Sequence, residues 1–432
     1  MNMHTVFQRK PLLMILACLG ISSLCFIYTR TDSAATFYQI FQTSDGIKAF
    51  WETDKNLNDL FSGTQKVLKS ASPFTRSIDN SIFQTHRDIR VLRDETLRNI
   101  IIDDEVDCSK RQFLLYKCSR GLCGGWGDRE KGIVSSFLLA LLTNRTFAIY
   151  MDKPCELENF MDPFIFNWTK CKRYLDTIPA QNTTEENHVG GNRGFYGKIS
   201  SIDFEKLWTR KKIVLFLNAY VPVMDSIKLH KDVEKQMKWI VNMTRPEIVH
   251  LVIHTLFRPK QRLRNELAEF IRTNTNGRHL VCSHIRIGKN PSIPGDNNLP
   301  KGSPKEGTIF SFLKRFKNPR KYAIYIATDS NDVRQGAMNN FKNVFNINRT
   351  IVHVDRFKKV DRETDICEGL YTVLFEQLML SFCDTLLITR SNFGTIAAYM
   401  RGSSDDLYLY HTKTDKVFLT NITNIQSVYG FV

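Results

Sequence analysis

Glycine (22), proline (13) and cysteine (10) are sparse in this chain of 432 residues, which excludes collagen-like repeats and small disulfide-stapled frameworks. Acidic residues are the minority: 44 Asp+Glu stand against 60 Lys+Arg, and the formal net charge is +16. Such an excess points to an anionic partner, whether nucleic acid, acidic lipid or a phosphate-bearing small molecule. No D-x-D pair and no GK[ST] occurs, so those metal-binding and P-loop signatures are missing, and no CxxC or paired His accompanies Cys118-x4-Cys123. Cys118 and Cys123 alone do not make a zinc site. Aromatics are plentiful at 11%, with 30 Phe, which excludes a disordered chain unable to bury enough surface to offset its ordering entropy. At roughly 150 residues per domain the length allows one large or two medium domains.

There is a single long uncharged apolar run, PLLMILACLGISSLCFIY over 11–28, preceded by Arg9-Lys10. As a helix at ~1.5 Å per residue it would just cross a hydrocarbon core. The basic flank predicts a cytosolic tail (1–10), a transmembrane signal anchor (11–28) and a lumenal body. The rival reading is a cleaved signal peptide with a weak site at Ser33-Ala34-Ala35. Six N-x-S/T sequons, at Asn144, Asn167, Asn182, Asn242, Asn348 and Asn421, agree with a lumenal address. Asn144 ends an apolar helical run and is expected to be buried and unmodified. Outside the anchor stand eight Cys, an even number that suggests disulfides. At least one bridge is expected within 108–171, while Cys282 and Cys383 lie in apolar strand-like runs and read as buried free thiols.

Residues 29–107 read as a stem with helical spacing over 77–102, which could also carry a dimer contact. Beyond it, short apolar strands alternate with longer amphipathic segments, the mark of α/β layering around parallel sheet. Strands are predicted at QFLLYK, TFAIYM, KIVLFLN, RHLVCSHIRIG, KYAIYIATDS, TIVHVD and DTLLITR. Helices are predicted at KGIVSSFLLALLTNR, PEIVHLVIHTLF, KQRLRNELAEFIRTN and EGLYTVLFEQLMLSF. Two Rossmann-like domains, 108–275 and 276–432, fit best, with the boundary near 258–277.

Four constellations carry chemistry. CGGWGDREKG (123–132) joins a strand to a helix, and its glycines, including Gly125 and Gly127, allow close backbone approach. A tight strand-to-helix turn explains it as well. CSHIRIGKN (282–290) puts His284 and Arg286 on one face at a strand's carboxyl end, just before Gly288. Arg286 there could hold a diphosphate bidentately, or pair at the surface. IATDSND places Thr328, Asp329 and Ser330 at a strand end, where they could contact a ligand or simply cap a helix. ITRSNFGTIAAYMRG turns a strand into a helix through Ser391, Asn392, Phe393 and Gly394, an anion-binding geometry. Three such turns at one sheet edge are less expected by chance than any one of them.

Together, GGWGD, SSFLLALLTNRTFAI, HIRIG, IATDS and LMLSFCDTLLITRSNFGTIAAYMRG, in that order over about 108–405, resemble the GDP-fucose-dependent fucosyltransferases, in particular the plant xyloglucan-fucosyltransferase-like group. The His-x-Arg signature is similar to that of α1,6- and protein O-fucosyltransferases. The resemblance implies a GT-B architecture of two Rossmann-like domains facing across a cleft, inversion at the fucose carbon, and no metal or other cofactor beyond the GDP-fucose donor. It implies Arg286 on the β-phosphate, His284 and Gly288 positioning the nucleotide, and Thr328, Asp329 and Ser330 on guanosine or its ribose. Ser391, Asn392, Phe393 and Gly394 would close over the diphosphate, while Gly125 and Gly127 shape the acceptor wall. Asp128 stands where the family has Asn; it could take the acceptor hydroxyl's proton or serve as a helix cap. Ile287 and Lys289 depart from the family pattern. The implied setting is the Golgi membrane and the implied acceptor a glycan or glycoprotein. Alternatives are a protein O-fucosyltransferase and a lumenal binder without catalysis, whose mark would be loss of the Arg. The lumenal address argues against nucleic acid.

Overall fold

The computed structural model describes residues 107–118, 123–187, 195, 197–209, 211–217, 223–288, 290, 302–349, 352–355 and 363–429, and the backbone of 13–19, 24–31 and 34–41. The chain divides into two units, Met1–Ser72 and Pro73–Val432. In the first, strands Leu13–Leu19, Leu24–Thr31 and Ala34–Phe41 form an antiparallel meander, with Leu13 opposite Arg30 and Leu24 opposite Phe41. Extended backbone therefore stands where the apolar run predicts a helix; apolar stretches rich in β-branched and aromatic residues suit either period. Among the described residues no helix is long and apolar enough to cross a membrane. The expected stem helix over 77–102 lies outside the described residues.

The second unit carries two mainly parallel sheets. The first contains β1 (Phe113–Cys118), β2 (Thr146–Met151), β3 (Thr183–Asn187) and β4 (Ile213–Leu217) in the spatial order β2-β1-β4-β3, all parallel. The second contains β5 (His279–Ile285), β6 (Tyr322–Thr328), β7 (Val344–Phe345), β8 (Thr385–Ile388), β9 (Leu407–His411) and β10 (Lys416–Leu419). Its order is β7-β6-β5-β8-β9-β10, parallel except for the final pair. The chain winds outward from β5 through β6 to β7, then returns to the other side of β5 for β8 and β9. The crevice between the carboxyl ends of β5 and β8 is thus a topological switch point, where open α/β sheets place their ligands.

Helix α1 (Trp126–Leu142) follows β1 and packs almost wholly buried. α2 (Arg245–Leu256) starts at a capping box in which Glu247 accepts from the Thr244 amide at 2.6 Å. α3 (Gln261–Thr275) buries Leu263, Leu267 and Ile271, an i, i+4 stripe. In the second half α4 (Glu306–Leu313), α5 (Asn331–Asn340), α6 (Glu363–Ser381) and α7 (Asn392–Arg401) cover the sheet. α1 and α2 pack against α7, and one apolar core runs through Phe137, Leu256, Leu374 and Ile396 from both halves.

All eight cysteines of this unit are paired: Cys108–Cys171, Cys118–Cys123, Cys155–Cys367 and Cys282–Cys383. The expectation of free thiols at Cys282 and Cys383 is corrected. Cys282 lies in β5 and Cys383 just before its neighbour β8, with Cα atoms 5.9 Å apart, within disulfide reach. Asn144 is exposed rather than buried: α1 stops at Leu142 and Asn144 turns the chain out with φ of 51°. The strand expected at TIVHVD is absent from its described residues, 352–355. There the Val354 carbonyl accepts from Arg129 at 3.1 Å and Asp355 pairs with the same guanidinium, so the segment serves a side chain rather than a ladder.

Candidate active site at the carboxyl edge of the second sheet

His284 sits near the carboxyl end of β5, opposite Ala327 of β6 and Ile388 of β8. Two residues on, the Arg286 amide donates to Thr389 Oγ1 at 2.9 Å, and the Thr389 amide returns a bond to the His284 carbonyl at 3.0 Å. The two strand ends flanking the switch point are therefore fastened together.

The Arg286 guanidinium pairs with the Asp329 carboxylate, which also accepts from the amides of Ile287 at 2.7 Å and Gly288 at 2.8 Å. Asp329 thus organises the whole turn that carries Arg286. Thr328 Oγ1 donates to the Ile285 carbonyl at 2.7 Å, and Ser330 caps α5 by accepting from Val333 at 3.4 Å. All three side chains are buried, and each bonds to neighbouring chain.

At β8 the chain turns into α7. Ser391 caps it by accepting from the Phe393 amide at 3.2 Å. Gly394 approaches His284 so closely that a Cβ there would fall 2.6 Å from Nδ1, which only glycine avoids. His284 is buried with its ring 5.3 Å from Phe393, and its Nδ1 has no hydrogen-bond partner among the described residues. Burial, then the Arg286 charge, pull its pKa down to about 3. It is a neutral imidazole whose Nδ1 is enclosed beneath Gly394.

The first turn of α1 meets the first turn of α7. A Cβ on Gly127 would come within 2.5 Å of the Asn392 and Phe393 backbone, so this contact too requires glycine. Asp128 accepts from the Gly125 amide at 3.2 Å as a helix cap and also takes the Asn392 amide group. The Asn392 oxygen receives Lys131 Nζ at 3.2 Å. Burial raises the Asp128 pKa, opposed by the bonds from Asn392, the Lys131 charge and the Gly125 amide. Two helix N-termini converge here, adding a positive field that sequence arithmetic does not contain.

Residues the sequence reading passed over complete the arrangement. Arg129 is buried and donates to the carbonyls of Gly124, Lys153 and Val354, with Asp355 as its counter-charge 3.7 Å away. Glu130 accepts from Gln377 at 2.6 Å, and Gln377 accepts from Trp126 at 2.7 Å. Burial pushes Glu130 up to about 8 and Lys131 down to about 8. The only signal was the run Asp128–Lys131 beside Gly127; charged runs on a helix are ordinarily solvated. Lys289 and the loop 291–301 lie outside the described residues.

Among the described residues no group of three or more His, Cys, Asp or Glu side chains is placed to hold a metal ion. No family model matches the sequence, and no curated protein is detectably similar to it. Solved structures with some likeness include an Arg-to-Lys mutant of FUT1 from Arabidopsis thaliana in complex with GDP, 13% identical, covering 79% of this chain and 80% of that one, TM-score 0.47. Another is the fucosyltransferase NodZ from Bradyrhizobium, 12% identical over 72% of this chain and 99% of that one, TM-score 0.43. NodZ soaked with GDP-fucose gives a TM-score of 0.44 at 12% identity, with the same coverage. With TM-scores below 0.5, these likenesses leave the reading of the site to its own geometry.

Proposed function

We propose that this chain is an inverting fucosyltransferase that moves L-fucose from GDP-fucose to a glycan hydroxyl. The observation that carries the reading is a guanidinium, Arg286, held by Asp329 at a switch point beside the N-terminus of α7. That combination suits a diphosphate, which needs fixed charge and aimed amides. The sequence resemblance supplies the guanosine and the fucose.

Transfer with a diphosphate leaving group calls for stabilisation of charge as it grows on the departing oxygen, and for an acceptor hydroxyl relieved of its proton. Arg286 and the α7 amides would do the first, without reorganising during the reaction. Neutral His284 would fix the approach of Gly394 and Phe393, and with it the α7 amides that face the donor. Asp128 is the candidate for taking the proton. Its carboxylate stands at the meeting of α1 and α7, and burial raises its pKa above the ordinary carboxylate value. On the same reading the body lies in the Golgi lumen, with the apolar run 11–28 as its membrane anchor.

The test is transfer of labelled fucose from GDP-fucose by the full chain in detergent, across a glycan and glycoprotein array, in EDTA. Transfer to a glycan is expected. Labelling of folded protein domains alone would favour a protein O-fucosyltransferase, and GDP binding without turnover would favour a non-catalytic binder.

A further inference from the structure

Four of the six sequons share a longer pattern, an aromatic residue three positions before Asn and Thr two after: FIFNWT over 164–169, WIVNMT over 239–244, FNINRT over 345–350 and FLTNIT over 418–423. The structure separates these four into two kinds. In the first and last, the asparagine Oδ1 accepts both the amide and the hydroxyl of its threonine: 3.1 and 2.8 Å at Asn167, 3.0 and 3.0 Å at Asn421. This turn uses three residues and nothing else in the fold, so it can form as the chain emerges. Because Oδ1 is held, the amide nitrogen is the outward atom. Both asparagines are exposed.

Both also stand beside apolar surface that the fold leaves uncovered. Phe164 is 38% exposed and Leu419 62% exposed, two of the few large hydrophobic side chains in that state. Phe418, Leu419, Asn421 and Val428 line one shallow depression of about 840 Å³. At the other two aromatic sequons the ring is spent elsewhere. Phe345 stacks with Phe270 and Tyr325 in the core, Trp239 packs against the core, and the Thr244 hydroxyl is bonded to Glu247 at 2.6 Å.

We propose that Asn167 and Asn421 are N-glycosylated and that the first N-acetylglucosamine of each glycan lies over the neighbouring apolar surface, Phe164 in one case and Phe418 with Leu419 in the other. The co-reactant is a polyisoprenyl diphosphate oligosaccharide, supplied with its transferase in the lumen. The asparagine Nδ2 forms a bond to the anomeric carbon and gives up a proton, while the bond from that carbon to the lipid diphosphate breaks and the diphosphate leaves with the electron pair. A pyranose ring carries C–H bonds on one face that pack on an aromatic or aliphatic surface, here Leu419 and the part of Phe164 left exposed beside Arg258. The proposal depends on lumenal placement of the body and is independent of the donor chemistry.

The test uses the full chain made in cells with a secretory pathway. Glycopeptide mass spectrometry should find both asparagines occupied, and Thr169→Ala and Thr423→Ala should each remove one glycan. Trimming to a single N-acetylglucosamine should leave the melting temperature unchanged, whereas complete enzymatic removal should lower it by about 2–4 °C. Phe164→Ser and Leu419→Ser should shrink that difference while leaving the glycans attached. Unmodified asparagine as the main form at either site overturns the assignment. An unchanged melting temperature after complete removal overturns the packing of the first sugar.

Discussion

Arg286 does two jobs in one position, and they can be separated. On the proposed reading its charge serves a diphosphate, while its pair with Asp329 anchors a turn that two backbone amides also hold. Arg286→Ala should therefore cost about 10²–10³-fold in transfer rate, the scale of losing one preorganised charge donor. The stability loss should stay near 1 kcal/mol, since Asp329 keeps its amide bonds. Initial rates and thermal melts on the same preparation check both. At Asp128 the cap is visible, and the question is whether the carboxylate also takes a proton. Asp128→Asn keeps an oxygen for the Gly125 amide but sets an NH2 against the Asn392 amide group, and should lose about 1–3 kcal/mol. If Asp128 is the base, the rate falls by about 10²–10⁴ at unchanged GDP affinity; an unaltered rate leaves it a cap only.

The elements were largely legible because strong apolar runs dictate them. TFAIYM is β2, and the two helices before β5 lie within a residue or two of their expected bounds. β3 was illegible for the converse reason: Thr183–Asn187 is a polar edge strand whose pairing with β4 leaves no hydrophobic mark. The turns at the site were legible as turns. Their side-chain assignments were not, because sequence shows that Asp329 follows a strand but not that Arg286 lies across from it. The disulfide between β5 and β8 belongs to the same class, since parallel neighbours are about a hundred residues apart in the chain. It ties together the two strands that bound the crevice. Replacing Cys282 and Cys383 by Ala should lower stability by about 2–4 kcal/mol, measured by denaturant unfolding. The remaining three bridges should persist in a thiol count of the variant.

Across the whole molecule, buried ionisable groups of both signs shape the response to pH. Burial lifts Glu130 to about 8 and Glu376 to about 7. Their folded forms hold a proton more tightly than the unfolded chain does. Their contribution is complete below about 4.5 and is lost as pH rises through those values. Burial lowers His254 to about 4 and His284 to about 3. Their contribution is complete above about 6.5 and is lost as pH falls. Between about 4.5 and 6.5 the two pairs oppose each other, so melting temperature should be nearly flat there and fall on either side. Glu130→Gln, which still offers an oxygen to Gln377, should remove part of the decline between pH 6.5 and 8 and leave the acid limb unchanged. A melting series in buffers from pH 4 to 8 distinguishes the two limbs.

The bridge from Cys155, just after β2, to Cys367 in α6 joins the first half of the molecule to the second. With it in place the halves share one fixed point and cannot translate apart. The glycine seam of Gly127 against Asn392 and Phe393 is a second close contact between the same halves. Reduction of this one bond would leave the halves joined by their shared core and by the side-chain bonds of Trp126, Asp128, Arg129, Glu130 and Lys131.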